Sequence, residues 1–133
     1  AKLTYAYANA TVPKVTVITG KAYGTAYLTM ASKVVGADIV YAWPGAEIGM
    51  MDAVSAAKIM YGDEIAAADN AAALIEEKAG EYRQLQSSPM AAAKRGYVDD
   101  IIEAKDTRKR VIAAFEMLFT KREDRPAKKH GTV

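Results

Sequence analysis

Val15-Thr16-Val17-Ile18-Thr19-Gly20-Lys21-Ala22-Tyr23-Gly24-Thr25-Ala26-Tyr27 is the stretch that decides how this chain folds. The β-branched run from Val15 to Thr19 suits a buried strand, and residues 14–19 are assigned to one. Gly24 then breaks the chain between two tyrosines, and an amphipathic stretch, residues 28–35, follows. Strand, glycine turn and helix start, in that order, leave backbone N–H groups without partners at the helix N-terminus. Such groups hold developing negative charge, as on an enolate or another oxyanion, without any side chain. Thr25 and Ala26 carry the candidate amides. An ordinary strand-to-helix turn has the same spacing, so spacing alone leaves both readings open.

The side-chain inventory gives the turn its weight. With 133 residues the chain suffices for one modest domain with a core. A net charge of +2 gives no electrostatic case for nucleic acid or a charged membrane surface. The absence of cysteine excludes disulfides and thiol nucleophiles and fits a reducing, cytoplasmic setting. No apolar run approaches a membrane span, and Lys2, Tyr5 and Asn9 interrupt any signal-peptide pattern. The single histidine, His130, sits in the basic tail and is expected in solvent, which argues against histidine base chemistry and a multi-histidine metal site. No metal site is expected.

Outward from the turn, residues 2–10 read as the end of a helix, so the chain is expected to begin within one. Helix after Gly24 carries Ala26, Met30 and Val34 on one stripe and ends at Gly36. Residues 37–43 read as a second strand. Pro44-Gly45 reads as a turn into a short strand at 46–50, the two forming a hairpin. Residues 52–61 read as helix. Ile65, Ala68, Ala72, Ile75, Ala79 and Tyr82 recur at helical spacing and predict one long helix. Ser87-Ser88-Pro89 starts a short helix at 89–94, since proline suits a first turn. Residues 97–102 make a third strand candidate, and a last helix begins at Asp106-Thr107 with Val111, Phe115, Leu118 and Phe119 on its face. Residues 121–133 form a basic, extended tail. A small sheet with helical cover makes the fold class α/β.

Several linked motifs also resemble a known family. They are Thr11-Val12-Pro13-Lys14-Val15-Thr16-Val17-Ile18-Thr19, the Ala22-Tyr23-Gly24-Thr25-Ala26-Tyr27 turn, Gly36-Ala37-Asp38 and Tyr41-Ala42-Trp43-Pro44. With them go Ala92-Ala93-Lys94-Arg95-Gly96-Tyr97-Val98-Asp99, Asp106-Thr107-Arg108 and Lys128-Lys129-His130-Gly131. In this order they resemble the biotin-dependent acyl-CoA carboxyltransferases, the β-type subunits of propionyl-CoA carboxylase and their decarboxylase relatives. The resemblance covers residues 1–133 and implies a crotonase-like (ClpP-like) fold, here a partial domain: the C-terminal part of the second of two tandem domains. It implies transfer of a carboxyl group between biotin, on a biotin carrier protein or domain, and an acyl-CoA. The other partners it implies are a missing N-terminal carboxyltransferase domain and further copies in a homo-oligomer. The Thr25 and Ala26 amides would form an oxyanion hole, Tyr23, Gly24 and Tyr27 the biotin slot, and Leu28 part of the acyl pocket. The family usually has a second glycine where Thr25 stands, and a basic residue is common where Gly20 stands. The alternative is a catalytically inactive, excised or engineered scaffold that self-associates.

Bland readings compete at each side chain. Leu28 also fits a helix core, and tyrosines beside a glycine turn often only pack. Glu47 is expected to face solvent or pair with a neighbouring subunit. Asp99 and Asp100 point to opposite faces if extended and so cannot share an ion. Lys94-Arg95 and Arg108-Lys109-Arg110 read as solvated helix faces, with CoA phosphates as the alternative contact.

Overall fold

The computed structural model describes residues 1–129 and 131; His130 lies outside the described residues. In chain order the elements are α1 (Lys2–Asn9), β1 (Val15–Ile18), β2 (Lys21–Tyr23), α2 (Gly24–Thr29), β3 (Ile39–Ala42), β4 (Glu47–Gly49), α3 (Ala53–Met60), α4 (Gly62–Ala67), α5 (Ala71–Tyr82), α6 (Pro89–Lys94), β5 (Asp100–Ile101) and α7 (Thr107–Met117). Lys33–Val35 and Ala104–Asp106 form 3-10 turns, and Arg83–Ser87 a π-helical turn. Among the described residues no helix is long and apolar enough to cross a membrane.

Among the described residues all strand pairing is parallel. The first sheet runs β1-β3-β5 and the second pairs β2 with β4. Every residue of β3 is buried, as expected for a central strand covered on both faces. Alternation then sorts its side chains. Val40 and Ala42 pack with Ile18, Ile48, Ala92 and Val98 on one face. Ile39 and Tyr41 pack with Ile102 and Ala114 of the C-terminal segment on the other.

The second sheet continues the first. Trp43 N–H donates to the Ile18 carbonyl at 2.9 Å, and Glu47 N–H to the Gly20 carbonyl at 3.2 Å. The strands before and after the Pro44-Gly45 turn therefore belong to different sheets and form no hairpin. β2 itself, which the sequence reading absorbed into the glycine turn, is a true strand paired Lys21↔Glu47, Ala22↔Ile48 and Tyr23↔Gly49.

Three predicted helices differ from expectation. The helix after Gly24 stops at Thr29 because Ala31 is left-handed, with φ 53°. Ser32 Oγ donates to the Leu28 carbonyl at 3.0 Å and Thr16 Oγ1 to the Ala31 carbonyl at 2.7 Å, which fixes that turn. Met30 and Val34, expected on a helical stripe, are 58% and 64% exposed. The long helix is broken at residues 68–70, where Ala68 is extended and Asn70 Oδ1 accepts from Ala73 N–H at 3.2 Å to cap α5. In α7 the buried residue is Ala114, while Phe115 and Phe119 face outward. The third strand shrinks to Asp100–Ile101, because Asp99 bonds β3 by backbone and side chain together: its N–H donates to the Val40 carbonyl and its carboxylate accepts Val40 N–H, each at 2.8 Å.

Residues 121–128 carry no helix or strand. Lys121 Nζ reaches Asp38 at 2.9 Å, and Arg125 hydrogen-bonds the Ala8 carbonyl. Asp38 also accepts Lys14 N–H at 2.7 Å, so one carboxylate ties the tail to the start of β1. Burial pushes the Asp38 carboxyl up, but the Lys121 hydrogen bond, the Lys14 N–H and both charges outweigh it and hold the pKa below its ordinary value.

Two outcomes follow. Ala31→Gly should stabilise the fold by about 1 kcal/mol, read as a higher urea midpoint, because glycine adopts a left-handed backbone without the Cβ clash; an unchanged or lower midpoint would show the turn unstrained. The depressed Asp38 stabilises the fold above its unfolded pKa, and that contribution fades as pH falls through the folded value, below about pH 4. Asp38→Asn should therefore weaken the fold at neutral pH and flatten the acid limb of a pH–stability curve. An acid limb identical to that of the parent chain would remove Asp38 as its source.

Candidate functional site

The last rung of the β2–β4 ladder, Tyr23↔Gly49, aims the chain straight into α2. Gly24 takes φ +58° there, and a Cβ on it would lie 3.1 Å from the Met50 carbonyl oxygen. Glycine is needed at this position for both reasons. Tyr23 is the extended N-cap, and no side chain caps the helix. The first-turn N–H groups, those of Thr25 and Ala26 among them, lack helical acceptors as any first turn does. Both side chains are exposed. The left-handed non-glycine residue is Ala31, not Thr25, so threonine sits at position 25 without backbone strain.

Two clefts flank α2. The first, of about 320 Å³, is lined by Gly24, Tyr27, Leu28, Met50, Arg95 and Tyr97 among others. The second, of about 360 Å³, includes Thr19, Lys21, Tyr23, Ala26, Tyr27 and Met30. The predicted slot residues are thus divided. Gly24 and Leu28 face the first cleft, Tyr23 and Ala26 the second, and Tyr27 borders both. Leu28, predicted to line a pocket or a core, lines a cleft.

The tyrosines differ in their bonding. Tyr23 Oη donates to the Glu47 carboxylate. Burial, then that hydrogen bond and the Glu47 charge, push the Tyr23 phenol far above its ordinary pKa. Half-exposed Glu47 is therefore engaged within the chain by Tyr23. The Tyr27 hydroxyl is buried and has no hydrogen-bond partner among the described residues. Burial, with a smaller contribution from Tyr97, pushes its pKa up as well. At neutral pH both phenols are protonated.

Other candidates fall away from the turn. Asp99 pairs with Lys33 at 2.7 Å, and Asp100 with Arg110 at 3.5 Å, so the two carboxylates diverge as their spacing required. Asp52 caps α3, accepting from Val54 and Ser55 N–H, each at 3.1 Å. Among the described residues no cluster of His, Cys, Asp and Glu is arranged to hold a metal ion. Arg95, assigned by sequence to a solvated helix face, is exposed and also lines the first cleft. It caps the C-terminus of α6 just before Gly96, whose φ of +81° turns the chain. That Arg-Gly boundary was the available signal.

The carboxyl transferase domain family matches this chain over residues 1–133. The chain is 53% identical over 131 residues to the methylmalonyl-CoA carboxyltransferase 12S subunit of Propionibacterium freudenreichii subsp. shermanii, covering 98% of this chain and 25% of that protein. It is 55% identical over 133 residues to the carboxyltransferase subunit of propionyl-CoA carboxylase from Haloferax mediterranei, covering 100% of this chain and 26% of that protein. The crystal structure of transcarboxylase 12S, a hexamer with methylmalonyl-coenzyme A and methylmalonic acid bound, superposes with a TM-score of 0.91 at 52% identity over 98% of this chain and 25% of that one. The β subunit of geranyl-CoA carboxylase from P. aeruginosa shares the fold at a TM-score of 0.71 and 23% identity, over 98% of this chain and 26% of that one. The chain thus spans about a quarter of the length of these relatives. With its small parallel sheets, its helical cover and its glycine turn, the chain has the crotonase-like fold of these enzymes and belongs to the carboxyl transferase domain family.

Proposed function

We propose that this chain supplies the biotin-facing half of a carboxyltransferase active site. A carboxyl group would pass there between biotin on a partner protein and the α-carbon of an acyl-CoA. One observation carries the reading: an uncapped helix N-terminus opens between two clefts, at the turn that the family motif marks. When bound, biotin supplies the ureido nitrogen on which the carboxyl group travels. The clefts suit such a group, because their walls are mainly apolar and aromatic while amide donors stand at the turn. The Thr25 and Ala26 N–H groups would take the negative charge that develops on the ureido oxygen. Their role is preorganised hydrogen bonding, which needs no reorganisation when charge appears. Tyr23, held by Glu47, would fix one wall of the slot. Leu28 would limit the acyl group from the first cleft.

Acyl-CoA would be held largely by a second carboxyltransferase domain, from the remainder of a subunit or from another copy. Exposed Met30, Val34, Ile59, Met60 and Leu85 support burial against such neighbours. The transcarboxylase 12S relative forms a hexamer, which favours a homo-oligomer here. The competing reading, a silent scaffold, drew in part on threonine standing where the family has glycine, and Thr25 is not left-handed.

Replacing the matching quarter of the transcarboxylase 12S subunit with this sequence gives a protein in which turnover is measurable. There Ala26→Pro should delete one amide donor; because it is the third residue of α2 and strains Thr25 before it, its turnover is read only with a urea midpoint close to the parent's. Turnover should fall by about a hundredfold or more with little change in KM for acyl-CoA; full turnover by the variant would overturn the oxyanion role. Gly24→Ala should cost about 1–3 kcal/mol of stability and most of the activity, since it forces a left-handed alanine against the Met50 carbonyl. Thr25→Gly should leave turnover near the parent value and cost about 0.5 kcal/mol through helix propensity alone. A large gain in turnover from Thr25→Gly would show that the threonine side chain obstructs the slot.

A further inference from the structure

Arg95 is the one charged residue among those lining the first cleft. Its Nη1 donates to the Gln86 carbonyl at 3.3 Å and its Nη2 to the Gln86 side-chain oxygen. Both acceptors are neutral. Arg83, Arg110 and Arg125 have carboxylate partners in Glu76, Asp100 and Glu123, whereas Arg95 has none in ion-pair range among the described residues. The guanidinium, at an exposed residue, is thus hydrogen-bonded to Gln86 without being neutralised, and further N–H donors of its planar fork are free of any partner shown. It lines the first cleft, whose remaining wall is largely apolar and aromatic: Tyr27, Leu28, Val34, Ile48 and Tyr97. Tyr27 adds a buried hydroxyl without a protein partner, a neutral donor at neutral pH.

A single positioned cation in an apolar cleft matches a ligand with one negative group on a short apolar body. We infer that Arg95 forms a carboxylate subsite of the first cleft, which reads the carboxyl group being transferred. The inference rests on the proposed carboxyltransfer at the α2 turn. A carboxylate is planar and accepts two parallel N–H bonds from a guanidinium, so the pair fixes orientation as well as charge. A phosphate dianion would call for several cations and would not use the apolar wall. The carboxylate arrives from one of two sources, a malonyl-type acyl group or carboxylated biotin. In either case the apolar wall holds the body that carries it and Arg95 holds the charge. Arg95 forms no covalent bond in this role. It orients one reactant, and the carbon–carbon or carbon–nitrogen bond breaks beside it.

The test uses the transcarboxylase 12S subunit with its matching quarter replaced by this sequence, carrying Arg95→Gln or Arg95→Lys. For Arg95→Gln the KM for methylmalonyl-CoA should rise about tenfold while the KM for propionyl-CoA, which lacks the carboxylate, stays within about twofold. Arg95→Lys, which keeps the charge but not the fork, should recover part of the loss. A rise confined to the KM for the carboxylated biotin carrier would assign the subsite to carboxybiotin. An equal rise for both acyl-CoAs would mean contact with the CoA phosphates and would overturn the inference. Unchanged constants would overturn it too. Ala26→Pro in the same background separates the levels. If it loses turnover while Arg95→Gln is neutral, only the subsite fails; if both variants retain turnover, the proposed site fails with it.

Discussion

The short parallel ladder between Lys21–Tyr23 and Glu47–Gly49 is the constraint on which the site depends. Its central residue Ile48 is buried with Ile18, Val40, Ala42, Ala92 and Val98, so a ladder of three pairs is anchored in the main core. Tyr23 pairs with Gly49 in register yet bonds Glu47 diagonally, locking the strand end by side chain as well as backbone. Beyond that rung the Met50 carbonyl occupies the space a Cβ would need, and the chain escapes only through the left-handed Gly24. The direction of α2, and with it the direction of its free amides, follows from that escape.

The two main strands were the most legible. Ile39-Val40-Tyr41-Ala42 is apolar throughout because both faces of the central strand are covered, and the half-buried edge strand Val15-Thr16-Val17-Ile18 announces itself by its β-branched run. Lys21-Ala22-Tyr23 has no such pattern; it is a strand only because a segment far along the chain lies beside it. The stop after Thr29 left no mark in sequence, since the left-handed residue is an alanine, fixed by Thr16 and Ser32 rather than by its own preference. The break at residues 68–70 did leave one. Asp69-Asn70 is a capping signal inside an alanine-rich run, outweighed in the reading by the helical period on both sides. Phe115 and Phe119 misled because large apolar residues were assumed to face inward, while the close approach of α7 to the sheet admits only Ala114.

At the site, the backbone turn was readable from a dozen consecutive residues, but its surroundings were not. The first cleft takes a wall from the α6–β5 region, where Arg95 and Tyr97 sit, and another from Tyr82 and Gln86. No local pattern announces that these approach Leu28. The Tyr23 partner of Glu47 was hidden for the same reason: the two are close only through parallel pairing.

The division of labour between backbone and side chains explains how this turn tolerates an unusual residue. α2 has six residues, too few for a strong macrodipole, so any charge stabilisation must come from the individual N–H groups of its first turn. Those groups are placed by Gly24 and by the ladder, and the side chain at position 25 points to solvent without altering them. Thr25 can therefore vary while Gly24 cannot. In the proposed site, discrimination among reactants would fall to the cleft walls, where Leu28 would set room and Arg95 charge. Stabilisation of the reacting group and choice of what enters would then be carried by different atoms, and each could change without undoing the other.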